Sequence, residues 1–443
     1  MSRDYRRLML FFIGCIIILI PGFYNNQWNV VAYNNYQSWQ DTFDRTIAAR
    51  LVKSRQDGLR SAGGLLGLGD VKKWKFNVET TAHQYEIYEQ GKNFNSYLAY
   101  KSFPGFQGLV FGIFDRLTNI SPKTNLIIFR GAVVFISAVI IAGFSVWLAI
   151  EFGWLAALFM LTFVVFSEWM TLPAGSTYWN LWAFYLPFVA IILLLEEAAR
   201  KNKYQENRIY FAVFSTALIK ILFNGFEAVT SAFIMITVPL VYFAMRDNWK
   251  WSTFALRMAK LGMVLTVVVF TGLVILGIQI AVHDHGFSAS YTYLLDTLNR
   301  RAIGDPESYP EYADGMRATI SFVVWRYLNI PAISVHLFQR LWQVTFLHLN
   351  ILFAIASTLF FLKNRTRMEA TAFKKGQALI AATWYSIIAP LSWLIIFKPT
   401  SYTHDAIFPI VWQMPFTLFG FAVCGYVFQN LFKLHLNLLE ARP

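Results

Sequence analysis

Apolar runs of the length that crosses a lipid bilayer recur along this chain. Residues 127–150 and 258–282 are examples; at 1.5 Å of rise per residue, about 20 apolar residues cover a hydrocarbon core of about 30 Å. Hydrophobic residues make up 56% of the 443 and charged ones only 14%, far more apolar than a water-soluble domain needs. The run 8–23 follows Ser-Arg-Asp-Tyr-Arg-Arg as a signal peptide would, but no small-residue cleavage site follows it, and it reads as a retained first span.

About ten spans are expected, at 8–24, 125–149, 154–171, 178–197, 208–223, 226–246, 257–283, 342–363, 376–398 and 406–431. Charge orients them. With the N-terminus inside, the inner connections hold Arg200, Lys201, Lys203, Arg208, Arg246, Lys250, Arg257, Lys260, Lys363, Arg365, Arg367, Lys374 and Lys375, whereas the short outer connections 172–177 and 223–225 carry no Lys or Arg. That asymmetry follows the positive-inside rule and puts both termini in the cytoplasm. It also accounts for much of the net charge of +13, which is scattered around apolar runs and not gathered on a polar domain, so no nucleic-acid partner is expected. Cys15 and Cys424 both fall in apolar runs, so no disulfide framework is implied.

The expected fold is therefore an all-α polytopic membrane protein, one integral domain over 1–443. Two long segments, 25–124 and 284–341, fall outside, where length exempts them from the charge rule. In the first, Trp39, Phe43, Ile47 and Leu51 recur every four positions, which predicts an amphipathic helix on the membrane surface. Ser38 would cap it, with Asp41 as the third-position acid of a capping box. Alternatively, Asp41 and Asp44 share one helical face and offer carboxylates at the membrane surface, where a general base would activate an acceptor hydroxyl. Residues 61–69 are glycine-rich, read as flexible turns or as backbone N–H groups for phosphate oxygens. Residues 103–116 are apolar but too short to span, which predicts a second interfacial helix.

The run Asp41-Thr-Phe-Asp-Arg-Thr-Ile-Ala-Ala-Arg-Leu-Val-Lys-Ser-Arg-Gln-Asp57-Gly58 resembles the first outward loop of GT-C glycosyltransferases, above all the aminoarabinose- and protein-mannosyltransferase branch. That branch has an acid shortly after the first span, then an Ala-Arg pair and a small-residue turn; its common Asp-Glu pair reads Asp41-Thr42 here. The resemblance implies transfer of a sugar from a polyprenyl-phosphate donor to an acceptor glycan, lipid or protein on the far side of a bacterial inner (plasma) membrane. Asp41, Asp44 and Asp57 are then the candidate catalytic carboxylates.

Ionisable groups in or beside spans are costly in lipid and therefore informative. Glu168, Lys220, Glu227, Lys398 and Asp405 fall near the outer ends of helices, with Tyr178 in an adjacent outer loop, and their convergence would form an outward polar cavity for substrate. Lys220 and Glu227 could instead bridge across the turn at Asn224-Gly225. A lipid phosphate needs cations, for which Lys220, Lys398, Arg326 and Arg340 are candidates. His404 and Asp405 at a helix start suit an anion, a metal or a plain cap. Asp41, Asp44, His404 and Asp405 would be plausible ligands for Mg2+ or Mn2+, although no spacing enforces a metal. A transporter or flippase for a lipid-linked or anionic substrate is the second reading, with functional groups expected nearer mid-membrane. A non-catalytic scaffold is the third.

Overall fold

The computed structural model describes residues 3–73, 78–337, 340–364 and 368–440. Arg365, Arg367 and the side chains of Arg340 and Lys363, all considered above, lie outside the described part. The helices run in chain order as α1 (Arg3–Asn25), α2 (Tyr33–Asp57), α3 (Val78–Glu89), α4 (Phe106–Leu117), α5 (Pro122–Phe152), α6 (Trp154–Phe166), α7 (Glu168–Ala174), α8 (Leu181–Arg200), α9 (Glu206–Asn224) and α10 (Val229–Arg246). They continue as α11 (Trp251–Asp284), α12 (Phe287–Leu298), α13 (Ala313–Arg317), α14 (Ile320–Leu328), α15 (Phe346–Asn364), α16 (Ala370–Ser386), α17 (Ile388–Ile396), α18 (Lys398–Thr403) and α19 (Phe416–Glu440). Two small antiparallel strand pairs interrupt them, β1 (Gly67–Gly69) with β2 (Tyr97–Ala99) across α3, and β3 (Pro331–Leu337) with β4 (Arg340–Thr345).

Among the described residues, six helices are long and apolar enough to cross a membrane, or seven if the pair α6 and α7, bent by 69°, is one span. The ten expected runs all contain helices, and seven coincide with these candidates when α6 and α7 count as one. Of the other three, α9 carries Glu206, Arg208 and Lys220, and the described apolar stretches of α15 and α19 are Phe346–Leu362 and Phe416–Leu431. The basic connections gather at one end of the bundle, where α8 and α10 stop and α9, α11 and α16 start. The core between spans is aromatic: Phe144 packs against Trp147, Phe188 and Phe419 at ring-centroid distances of 5.2–5.8 Å.

Segment 25–124 differs from its reading as surface helices. Helix α2 begins at Tyr33 behind Ala32, so Ser38 and Asp41 sit in its interior and no capping box exists. Nor is α2 amphipathic along these turns: Arg45, Ile47, Ala48, Ala49, Arg50 and Leu51 are wholly buried, covered by α3, α4 and β1. Helix α4 keeps an exposed apolar face of Val110, Ile113, Phe114 and Leu117, as an interfacial helix requires. The glycine-rich stretch is a packing device. Gly63 has φ +64°, and a Cβ there would stand 2.1 Å from the Gln279 carbonyl oxygen of α11; Gly67 and Gly69 lie in β1, against Tyr97 and Phe94.

Candidate functional site

Helix α2 is sewn into the bundle before it presents any chemistry. The Tyr36 hydroxyl donates to the Phe23 carbonyl (2.8 Å) at the end of α1, and Gln40 Nε2 donates to the Leu172 carbonyl (2.8 Å) of α7. Farther along, the buried guanidinium of Arg45 donates to Thr81 Oγ1 (3.0 Å), and that of Arg50 to the carbonyls of Ser61 (2.6 Å) and Leu59. Buried charges demand such partners. The middle turns of α2 are thereby fixed as a wall between two cavities.

One cavity, of about 350 Å³, is lined by Asp41, Asp44, Tyr85, Lys123, Arg130 and Thr177 among others. Asp44 is held hard: its Oδ1 accepts from Ser176 Oγ (2.7 Å) and from the Tyr178 N–H (3.2 Å). Burial pushes its carboxyl above the ordinary range, and Arg130 and the Ser176 hydroxyl pull back. Asp41 is held loosely, accepting only from Gln37 Nε2 (3.2 Å) among the described bonds, and burial raises its carboxyl too. Arg130 donates to Tyr36 Oη (2.8 Å) and lies over the Tyr24 and Tyr36 rings, 5.3 and 5.6 Å from their centroids.

The second cavity, of about 250 Å³, opens on the other side of the same turns, where Thr42, Phe43 and Thr46 meet Tyr178, Arg301 and His404. Its walls are aromatic, with Tyr178 packed on Phe43 (5.3 Å) and Phe103 (5.1 Å), and Tyr100 and Trp179 contribute to the lining. Arg301 Nη1 pairs with Glu227 Oε1 at 2.8 Å, both side chains being nearly buried. Burial alone would lower the Arg301 pKa, but Glu227 and Tyr100 outweigh it and hold the guanidinium charged. Burial lowers the His404 imidazole, whose Nδ1 lies 3.2 Å from the Thr400 carbonyl oxygen. Thr177 lines one cavity and its neighbour Tyr178 the other, so a single loop, anchored on Asp44, forms their shared rim.

Of the described residues expected from the sequence, Asp41, Asp44, Tyr178, Glu227 and His404 line these two cavities, and the others do not. Lys220 Nζ donates to the carbonyls of Gly225 (2.8 Å) and Glu227 (2.7 Å), clamping the turn between α9 and α10 instead of bridging to the Glu227 carboxylate. Lys398 Nζ is likewise taken by the carbonyls of Met316 (2.8 Å) and Ala318 (2.6 Å) at the end of α13. Asp405 pairs with Arg326, and Asp57 with Lys53 one turn earlier on α2. Thirteen residues beyond Asp44, Asp57 is about 20 Å along the helix. Glu168 opens α7 at the break from α6, where an acid suits the positive end of a helix.

The expected divalent-metal set is not assembled, because Asp41 and Asp44 face one cavity, His404 the other, and Asp405 its arginine. Among the described residues no three His, Cys, Asp or Glu side chains converge as metal ligands. The cations that do face the cavities, Lys123, Arg130 and Arg301, were not among the expected ones. Arg130 had a signal, a charge inside the apolar run 127–150. No protein-family model, curated protein or solved structure matches the chain.

Proposed function

We propose that the protein is a membrane glycosyltransferase of the GT-C kind, moving a sugar from a polyprenyl-phosphate donor to an acceptor on the non-cytoplasmic face. The observation that carries this reading is the pair Asp41 and Asp44 on a fixed helix, with a cation-lined cavity on one side and an aromatic, arginine-bearing cavity on the other. In this reading α9, α15 and α19 complete a ten-span bundle, the basic end faces the cytoplasm, and the membrane is a bacterial inner membrane.

Asp41 is the base. It is loosely bonded, and burial raises its affinity for a proton, as a proton acceptor near its working pH requires. Asp44, taken up by Ser176 and Tyr178, positions the loop. The acceptor O–H gives its proton to the Asp41 carboxylate as its oxygen bonds to the anomeric carbon. The bond from that carbon to the phosphate oxygen breaks, and the phosphate leaves with the electron pair. Charge growing on the phosphate is offset by Arg130, which faces the same cavity as Asp41 and costs no reorganisation because it is already fixed.

The test is transfer from a polyprenyl-phosphate sugar by purified protein in liposomes. Asp41→Asn keeps the shape and removes the proton acceptor, and should cost about 100-fold or more in turnover with donor binding kept. Full turnover by that variant would remove Asp41 as base. One observation favours a transporter or flippase instead, the 69° break between α6 and α7 with Glu168 at it, since broken helices mark many transport sites. Movement of the intact lipid donor across the bilayer without sugar transfer would establish that reading.

A further inference from the structure

A cavity of about 870 Å³ lies at the basic end of the bundle, between the ends of α5, α8 and α10 and the starts of α11 and α16. Six cations line it: Arg200, Lys203, Arg246, Arg257, Lys374 and Lys375. Three acids oppose them, and all three are already taken. Glu151 is paired with Arg246 (3.2 Å) and Lys375 (3.2 Å), Glu196 with Arg246 (2.8 Å) and Arg200 (3.1 Å), and Asp247 with Arg246 (2.7 Å). Among the described residues, Lys203, Arg257 and Lys374 have no carboxylate partner, so the cavity keeps an uncompensated positive charge.

Arg257 is the most defined of the three. Its guanidinium carbon sits 3.4 Å from the centroid of Tyr204 and 4.0 Å from that of Trp249, rings that themselves meet edge to face at 6.0 Å. Stacking fixes a guanidinium plane and leaves its in-plane donors for a ligand, and Arg257 Nε is buried with no hydrogen-bond partner. A planar fork backed by two ammonium groups is the donor set that binds phosphate. One turn farther along α11, a groove of about 460 Å³ between α9 and α11 begins at Asn207 and the ion pair of Lys260 with Glu206 and continues along Tyr210, Phe214, Met263, Val264 and Val267. Met263 and Val267 are exposed on the bundle's outer surface. A charged pocket beside an apolar outward groove matches an amphiphile and not a free anion.

We propose that this cavity binds the phosphate of an anionic phospholipid, with Arg257 as the principal contact, Lys203 and Lys374 beside it, and an acyl chain along α9 and α11. The site does not depend on the proposed transferase reading. The experiment is native mass spectrometry of the full chain in detergent, titrated with dihexanoyl phosphatidylglycerol, dihexanoyl phosphatidylcholine or glycerol phosphate. Phosphatidylglycerol should bind at least tenfold more tightly than phosphatidylcholine, and Arg257→Gln and Lys374→Gln should each remove most of that preference. Because the two substitutions are on different helices, loss of folding in one leaves the other decisive. Equal binding of the two lipids, or an undiminished preference in a folded variant, would overturn the proposal. Glycerol phosphate binding as tightly as phosphatidylglycerol would overturn the lipid assignment in favour of a soluble phosphate.

Discussion

The ion pair of Glu227 and Arg301 gives the sharpest energetic test of how the cavity beside α2 is built. Glu227→Gln removes the charge that holds Arg301, whose side chain is only 13% exposed. Breaking a buried pair from one side typically costs about 3–5 kcal/mol, because the other charge is stranded. Here glutamine still offers a carbonyl oxygen to the Arg301 N–H, which returns about 1 kcal/mol. The backbone of residue 227 also stays clamped by Lys220. A loss of about 2–4 kcal/mol is therefore expected. Glu227→Gln with Arg301→Met strands no charge and leaves only a neutral amide unpaired, at about 1–3 kcal/mol, so the double variant should lose clearly less stability than the two single losses added together. Unfolding in mixed detergent micelles of the parent, both single variants and the double variant closes the cycle. Additive single and double effects would refute the reasoning, as would a Glu227→Gln variant as stable as the parent.

Burial holds the Asp41 carboxyl above its ordinary 3.8, so the acid limb of transfer activity should inflect above that value, falling as pH drops through it. An inflection at or below 3.8 would contradict the assignment. For stability the sign is opposite: the folded state holds this proton more tightly, so the fold loses stability as pH rises from the unfolded value through the raised one. Gly63→Ala forces a Cβ against the Gln279 carbonyl oxygen at positive φ and should destabilise by roughly 1–3 kcal/mol, whereas Gly131→Ala, with nothing within 4 Å, should be neutral or slightly stabilising by thermal unfolding. Asp57→Asn breaks only an exposed pair with Lys53, so stability should change by under about 0.5 kcal/mol and transfer activity should stay at the parent's level.

What the sequence made legible followed from local periodicity. The apolar runs became helices, the basic connections gathered at one end, and Asp41 and Asp44, three apart, came to one cavity. The capping reading of Ser38 and Asp41 failed because that pattern marks a helix start only where the chain is not already helical, and α2 begins five residues earlier, at Tyr33. Assignments of cations failed for a different reason. A lysine near the end of a helix is as readily satisfied by backbone carbonyls as by a ligand, and Lys398 meets carbonyls some 80 residues away in sequence, at Met316 and Ala318. Likewise, Arg301 reaches Glu227 across 74 positions. Such convergence is a property of packing that no spacing encodes.

The two segments outside the bundle core are tied to each other as well as to the spans. Lys101 Nζ reaches both carboxylate oxygens of Asp284 at 2.7 Å, Gln279 Nε2 donates to the Pro104 carbonyl (3.0 Å), and Arg301 from the later segment enters the cavity that Tyr100 of the earlier one helps to line. A chimera that exchanged either segment alone with that of another protein would strand Asp284 or Lys101 and open the cavity on one side. Any exchange of this surface would therefore have to carry at least 25–124 and 284–303 together.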